Sequence, residues 1–320
     1  MSGSAGTDRK RRWRFVKIGA VVLPLLASGL TWKVLGSTSP GPAAAIPGLT
    51  SAGDPVVFAA GDISCDPTDP AFNGGNGSSG HCREKYTAAL MGDADAVLPL
   101  GDEQYEKGTL TGFNQSYDLA WGQYKAITRP SPGNHEYLTS GASGYFSYFT
   151  DIAGAPYYSW DIGTWHLVSL NSSVSIASGS AQYNWLKNDL TTHTNACVLA
   201  YWHEPRFKVG KPAVAKMKPA WDLLYQYKAD LILGGHAHNY QRMAPLDPAG
   251  NVDNTNGIRE IISGTGGEGH GQLFTGPWIQ VGDGKTFGVT RLTLHDGSYD
   301  WKFVPEAGKT FTDSGTTNCH

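Results

Sequence analysis

The chain has 320 residues, of which 40% are hydrophobic and 11% aromatic, so it can bury a substantial core and is not a disordered protein. This length fits one large domain or two small ones. The formal net charge is −3, and because basic residues concentrate near the N-terminus, the remainder of the chain is distinctly acidic. An acidic surface repels phosphate backbones, so we expect no nucleic-acid-binding module.

The first segment, residues 1–35, is predicted to direct export. A basic cluster, Arg9–Lys17, precedes an apolar run, Ile18–Leu30, whose length is typical of the hydrophobic region of a signal peptide. Continued to Leu35, the run approaches the minimum length of a membrane span. The segment is therefore either a cleaved signal peptide or a signal anchor with membrane contact, and both alternatives predict an extracellular or cell-surface location.

The organisation after this segment is simple. Residues 36–53 are rich in Gly, Pro, Ser and Ala and are predicted to form a linker. One folded domain, residues 54–305, and a C-terminal tail, residues 306–320, follow.

The four cysteines fit an exported protein. Cys65 and Cys82 flank a Gly/Asn/Ser-rich loop, so we favour the disulfides Cys65–Cys82 and Cys197–Cys319. The second of them would tie down the C-terminal tail. Zinc binding by thiolates is the alternative, but the chain has no Cys-x-x-Cys pair.

Within the domain, apolar runs that predict buried strands alternate with helical patterns. The predicted strands are Val56–Ala60, Val97–Leu100, Val198–Trp202, Leu231–Leu233, Ile258–Ser263, Gly288–His295 and Tyr299–Val304. The predicted helices are Glu84–Met91, a helix capped by Ser180, and Lys218–Lys228. Asp296-Gly297 predicts a hairpin turn between the last two strands. Early β–α alternation followed by hairpins indicates one or two mixed sheets with helices outside.

Side chains that can bind metals follow several of the predicted strands. They are Asp62, Asp102, Tyr105, Asn134, His203, His236 and His238. Ligands just past strand ends can gather at one edge of a sheet. Hard oxygen donors combined with imidazoles suit zinc, iron or manganese rather than calcium. Asp102 stands between the other groups in sequence, so we expect it to bridge two ions through its two carboxylate oxygens.

These residues lie in five short motifs, in order along residues 56–242. The motifs are Gly61-Asp62, Gly101–Tyr105, Gly133-Asn134-His135-Glu136, His203 after Val198–Trp202, and Gly235–His238, which continues to Arg242. In this order they resemble the calcineurin-like metallophosphoesterases and, within that family, the purple acid phosphatases. The resemblance implies an α/β fold, a four-layer αββα sandwich of two mixed β-sheets flanked by helices, with a dinuclear metal site at the C-terminal edge of the strands.

The resemblance also implies individual roles. Asp62, Tyr105 and His238 would hold one metal, Asn134, His203 and His236 would hold the other, and Asp102 would bridge them. The first ion would be Fe(3+) and the second Fe(2+), Zn(2+) or Mn(2+). Many metallophosphoesterases have a histidine two positions after the first aspartate, whereas this chain has Ser64. The absence of that histidine, together with the presence of Tyr105, favours the purple acid phosphatase subgroup.

The implied activity is hydrolysis of small phosphate monoesters by a metal-bound hydroxide, with His135 as the acid that protonates the leaving group. Glu136 and Glu204 are interpreted as solvated charges at the rim, and Gly264–Gly269 as a glycine-rich loop there. Two alternatives stay open. The same fold could serve a phosphodiesterase or nucleotidase, or the protein could be a surface-anchored metal- or ligand-binding module without activity.

Overall fold

The structure is a computed structural model that describes residues 53–150, 155–195 and 197–320. The predicted export segment, residues 1–35, and nearly all of the predicted linker lie outside the described residues. Across the described ranges, no helix is both long and apolar enough to cross a membrane.

Twelve strands and five α-helices form the described part of the chain. The strands are β1 (Val56–Ala60), β2 (Ala96–Pro99), β3 (Tyr158–Ile162), β4 (Trp165–Ser169), β5 (Cys197–Tyr201), β6 (Leu231–Gly234), β7 (Tyr240–Met243), β8 (Arg259–Ser263), β9 (Ile279–Asp283), β10 (Gly288–His295), β11 (Ser298–Pro305) and β12 (Ser314–Asn318). The helices are α1 (Glu84–Ala88), α2 (Leu110–Gln115), α3 (Ser143–Tyr148), α4 (Ala181–Thr192) and α5 (Lys218–Gln226). Short 3-10 helices occupy Asn73–Gly75, Tyr117–Leu119, Trp121–Ile127, Glu136–Leu138, Ser140–Ala142 and Ala215–Met217.

The strands form two mixed sheets. The first has five strands in the order β12-β11-β10-β1-β2, and only the β1–β2 pair is parallel. The second has seven strands in the order β3-β4-β5-β6-β8-β7-β9, with β4, β5, β6 and β8 parallel. Parallel neighbours end at the same edge of a sheet, so β1 and β2 end together, as do β5 and β6.

The sheets pack face to face, with helices on both outer surfaces. Alternation along β5 shows this arrangement, because Leu199 lies in the core between the sheets and Ala200 lies in the core under α4 and α5. A third core packs α1, α2 and α3 against the outer face of the five-stranded sheet. The predicted αββα sandwich is therefore confirmed.

The predicted elements differ from the structure in instructive places. All seven predicted strands occur, with ends shifted by no more than a residue or so, and Ser180 caps α4 by accepting a hydrogen bond from the Tyr183 backbone N–H. Both favoured disulfides are present. The hairpin β3–β4 was missed because Asp161 and Gly163 interrupt its apolar pattern. The C-terminal segment was predicted only as a tail, but it contributes β12 to the five-stranded sheet.

Candidate metal centre

The candidate ligands stand on loops that leave the strands at one edge of the sandwich. Asp62 follows β1 and Asp102 follows β2 in the first sheet, whereas His203 follows β5 and His236 follows β6 in the second. Because each pair of strands is parallel, each pair of loops leaves on the same side. The structure brings all seven predicted side chains into contact around this edge, although their role as metal ligands stays a prediction.

One group consists of Asp62, Tyr105 and His238. The Tyr105 hydroxyl lies 2.8 Å from Asp62 Oδ1 and 3.0 Å from His238 Nε2. His238 Nε2 lies 3.0 Å from the same Asp62 oxygen. Three donor atoms of different chemistry, a carboxylate, a phenol and an imidazole, thus converge at hydrogen-bond distance.

The second group consists of Asn134, His203 and His236. His203 Nε2 lies 3.1 Å from Asn134 Oδ1 and 3.2 Å from His236 Nδ1. The carboxylate of Asp102 joins this group with His203 and His236 in a cluster with the spacing of a metal site. Asn134, His203 and His236 offer an amide oxygen and two imidazole nitrogens, a softer set of donors than that of the first group.

Asp102 lies between the two groups and contacts both through one oxygen. Its Oδ2 is 3.1 Å from the Tyr105 hydroxyl and 3.0 Å from His203 Nε2. Its Oδ1 accepts a hydrogen bond of 2.8 Å from the backbone N–H of His135 and so points away from the centre. The sequence led us to expect two bridging oxygens, but only Oδ2 faces both groups.

Four of the candidate ligands have backbone conformations that side chains rarely adopt. The φ angles are 59° at Asp62, 49° at Asp102, 69° at His236 and 47° at His238. Such residues persist only where the surroundings enforce them, and they concentrate at functional sites. The loops also pack very closely, because a Cβ added to Gly133 would lie 2.1 Å from Asp102 Oδ1.

Hydrogen bonds behind the ligands orient them. His203 Nδ1 donates to the Leu100 carbonyl at 2.9 Å, which leaves Nε2 facing the centre. His238 Nδ1 lies 2.9 Å from a carboxylate oxygen of Glu268, with the same consequence. Partners of this kind fix the ring and the tautomer of histidines that bind metals. Glu268 belongs to Gly264–Gly269, so the predicted glycine-rich loop does border the site, but its orienting carboxylate was not foreseen.

The electrostatics of the centre favour bound positive charge. Although burial opposes it, the charge of Asp62 raises the pKa of His238 to about 11. Asp102 likewise raises the pKa of His203 to about 9 against the effect of burial. Burial and then the charges of Asp62 and Asp102 raise the pKa of the Tyr105 phenol well above its usual value. The buried carboxylates therefore hold protons on their neighbours, and cations would replace those protons on binding.

These observations fit a pair of metal ions. The donor set is the one that iron, zinc or manganese accepts, and Asp102 Oδ2 lies where a shared ligand would be required. Both carboxylates are fully or nearly fully buried, and their remaining oxygens are already bonded to backbone N–H groups. The oxygens that face the centre are thus held in place before any ion arrives.

The two glutamates interpreted as solvated rim charges behave differently. Glu136 is completely buried, so that interpretation is wrong for it. Its carboxylate accepts backbone hydrogen bonds from Asp102, Gln104 and Gly133 at 3.0, 3.2 and 2.8 Å. Burial and then the charge of Glu136 raise the pKa of the adjacent Glu103 well above its usual value. Glu204 is partly exposed and forms an ion pair with Lys216.

His135 lies beside the centre without entering it. Its Nδ1 donates to the Glu106 carbonyl oxygen at 2.7 Å, so the Nε2 end faces the centre, 4.0 Å from Asp102 Oδ2. The ring centroid is 4.3 Å from that of Tyr105. About a quarter of the side chain is exposed, at 23%, so a substrate atom can reach it.

The fold and the centre define a metallophosphoesterase, and comparison with known sequences agrees. The family described as calcineurin-like phosphoesterase matches residues 57–240, more than half of the chain. The chain belongs to this family.

Several individual relatives are named as purple acid phosphatases or acid phosphatases. Human acid phosphatase type 7 is 28% identical over 260 residues, a match that covers 65% of this chain and 57% of the relative. Purple acid phosphatase 23 of Arabidopsis thaliana is 30% identical over 161 residues, or 42% of this chain and 35% of the relative. The chain thus spans little more than half of the human relative's length and about a third of the plant relative's.

A solved structure supports the fold. The purple acid phosphatase PPD1 from yellow lupin (Lupinus luteus) seeds superposes with a TM-score of 0.66 at 19% identity, covering 88% of this chain and 55% of that chain. At this identity the likeness concerns the fold alone.

Proposed function

We propose that this protein is an exported, metal-dependent phosphomonoesterase of the purple acid phosphatase type. The observation that carries the proposal is the position of Asp102 Oδ2 between two complete sets of donor atoms, 3.1 Å from one and 3.0 Å from the other. A protein that binds a single ion has no use for that arrangement. The two disulfides favour an oxidising compartment and hence export.

In this proposal Asp62, Tyr105 and His238 hold an iron ion, Asn134, His203 and His236 hold iron, zinc or manganese, and Asp102 bridges. When bound, the two cations would neutralise the phosphate oxygens and lower the pKa of a water, so that hydroxide is available to attack phosphorus near neutral pH. No protein nucleophile is required, because positioning and charge stabilisation are the main tasks in phosphoryl transfer.

His135 supplies the proton that the leaving group needs. Because Nδ1 keeps its proton on the Glu106 carbonyl, the acid is the imidazolium form of the ring, and its second proton, on Nε2, is the one that moves. That proton would pass to the ester oxygen as the phosphorus–oxygen bond breaks, and the ring would regain a proton from solvent through its exposed edge. General acids of this kind contribute about 10²–10⁴-fold to a rate.

The test is an assay of purified protein reconstituted with iron and zinc or with manganese. We expect hydrolysis of p-nitrophenyl phosphate and at least a hundredfold loss in Asp102→Asn, whereas Asp222→Asn, on the exposed side of α5, should keep its activity. Absence of turnover in the reconstituted protein would contradict the proposal. Faster hydrolysis of bis(p-nitrophenyl) phosphate or of nucleotides than of the monoester would favour the phosphodiesterase or nucleotidase alternative instead.

A further inference from the structure

A pocket of about 540 Å³ lies beside the candidate metal centre. It is lined by the loop after β4, Ser172–Ala177, and by Ala215, Lys216 and Pro219 before and in α5. Its floor contacts two of the ligand-bearing loops. Ser172 Oγ accepts a hydrogen bond of 3.1 Å from the backbone N–H of Glu204, the residue after His203. The pocket therefore adjoins the loop that carries His203.

The other ligand-bearing loop contacts the pocket through Ser173. Its hydroxyl donates to the Gly133 carbonyl at 3.3 Å, and Gly133 precedes Asn134. His203 and Asn134 belong to the same donor group, so a molecule bound at that group would reach into this pocket with its remaining atoms. The pocket wall that such a molecule would contact carries several serine hydroxyl groups and the ammonium group of Lys216.

Two lysines flank the carboxylate of Glu204 here, and a third, Lys211, acts through its charge on one of them. Lys216 forms an ion pair with Glu204, and Lys208 Nζ lies 4.0 Å from the other oxygen of that carboxylate. Burial lowers the pKa of Lys208, Glu204 opposes that effect, and the charges of Lys211 and Lys216 lower it further.

This local excess of positive charge is unusual in a chain whose body is acidic. Lys208 is only 15% exposed, yet its nearest acidic partner is at the outer limit of an ion pair. A partly buried ammonium group without a close partner is costly unless an anion reaches it. The metal centre would take the scissile phosphate, which leaves these lysines available to a second negative group on the same molecule.

We propose that this pocket, with Lys208, Lys211 and Lys216, binds a second phosphate group on the substrate. The preferred substrates are then small molecules with two phosphate groups, one hydrolysed at the metal centre and one held by the lysines. Ammonium–phosphate contacts are charge-assisted and strong, and the serine hydroxyls can bond to the molecule between the phosphates. This inference rests on the proposed function and specifies its substrate class.

The experiment compares fructose 1,6-bisphosphate with fructose 6-phosphate on the reconstituted full-length protein. The variants are Lys216→Gln and Lys208→Gln. The matched control is Lys218→Gln, because Lys216 and Lys218 are equally exposed, at 51%, and Lys218 is paired with Asp222 on the exposed side of α5.

We expect kcat/KM to fall at least about tenfold more for the bisphosphate than for the monophosphate in Lys216→Gln, the factor that about 1.4 kcal/mol of lost contact produces. Lys208→Gln should change the ratio in the same direction, and Lys218→Gln should leave it unaltered. Equal losses for both esters, or none for either, would mean that the lysines serve only the ion pairs with Glu204 and would overturn the proposal.

A binding measurement separates this inference from the proposed function. If the reconstituted wild-type protein hydrolysed neither these esters nor p-nitrophenyl phosphate, the proposed function would fail, but calorimetric titration with fructose 1,6-bisphosphate would still examine the pocket. At least about tenfold weaker binding by Lys216→Gln than by the wild type would support the pocket. Equal affinity in the two proteins would refute it.

Discussion

The carboxylate of Glu136 accepts a hydrogen bond from the backbone N–H of Asp102 at 3.0 Å, and thereby joins the loop after β2 to the loop that carries Asn134. The same carboxylate binds the N–H groups of Gln104 and Gly133. Glu136 thus positions the backbone of Asp102 and of Gly133, the residue before Asn134, without itself entering the centre.

We therefore expect Glu136→Gln to lower metal affinity and kcat/KM by about 10–100-fold, the usual effect of losing a residue that orients metal ligands. A glutamine offers one acceptor oxygen for three N–H groups and turns its own NH₂ towards them. Metal content after dialysis and the rate with p-nitrophenyl phosphate measure the effect. Wild-type metal content and rate in this variant would show that the three backbone hydrogen bonds are dispensable.

Gly133 is required for the approach of two loops. A Cβ at this position would lie 2.1 Å from Asp102 Oδ1, so Gly133→Ala must displace the carboxylate or the loop. We expect a loss of about 1–3 kcal/mol in the free energy of unfolding, as in other overpacked sites, and greatly reduced metal content. Urea denaturation and metal analysis measure the two effects.

The matched control is Gly92→Ala, because nothing lies within 4 Å of a Cβ placed there and its backbone does not require glycine. This variant should keep wild-type stability and metal content. Equal behaviour of the two alanine variants would contradict the steric argument.

Tyr105 is expected to colour the iron-loaded protein. Its hydroxyl contacts Asp62, Asp102 and His238 within 3.1 Å, so an ion held by those groups would also contact the phenol oxygen. Tyr105→Phe should abolish the visible absorption that a tyrosinate gives on iron. The spectrum of the reconstituted variant is the measurement. Tyr137→Phe is the control, because the Tyr137 hydroxyl accepts a hydrogen bond from Asn171 instead. Colour that persists without Tyr105 would remove it from the ligand set.

The role of His135 can be tested through the leaving group. Phenol is a poor leaving group and needs a proton, whereas p-nitrophenol leaves readily without one. We expect His135→Asn to lower kcat for phenyl phosphate by about 10²–10⁴-fold and to affect p-nitrophenyl phosphate much less. Losses of the same size for both esters would indicate that His135 positions the substrate rather than protonating it.

Far from the centre, His166 makes stability depend on pH. Its ring is buried between Asp189, 2.8 Å from Nε2, and Asp161, 2.7 Å from Nδ1. Burial opposes protonation, but the two carboxylates, Asp189 first, raise the pKa of His166 above its ordinary 6.5. Because the folded-state pKa is raised, the stabilisation is complete below pH 6.5 and is lost as the pH rises through the folded-state value.

His166→Gln should therefore reduce the free energy of unfolding more at pH 5.5 than at high pH, by about 1.5–3 kcal/mol, the range for hydrogen bonds to charged groups. Urea denaturation of both proteins across this pH range measures the difference. Asp189→Asn should flatten the pH dependence in the same way. A difference between wild type and His166→Gln that does not change with pH would contradict the assignment.

Several features followed from the sequence by itself because they depend on local pattern. Short apolar runs predicted the strands, since burial on a sheet requires apolar residues within a few positions of one another. Asp62, Asp102, His203 and His236 each follow one of those runs, and this order predicted that they lie at one edge of the sheets. Their side-chain types predicted that the site binds metal ions. The five motifs together indicated the family that the comparison then showed.

Other features depended on the tertiary structure, because they arise between residues that are distant in sequence. Glu136 was interpreted as a surface charge, because the local sequence does not reveal that three backbone N–H groups donate hydrogen bonds to its buried carboxylate. Only one oxygen of Asp102 faces both donor groups, because the other accepts a hydrogen bond from the N–H of His135. The pocket at Lys216 exists only because the loop after β4 and the start of α5 meet there, and they meet because β4 is the neighbour of β5 in the seven-stranded sheet.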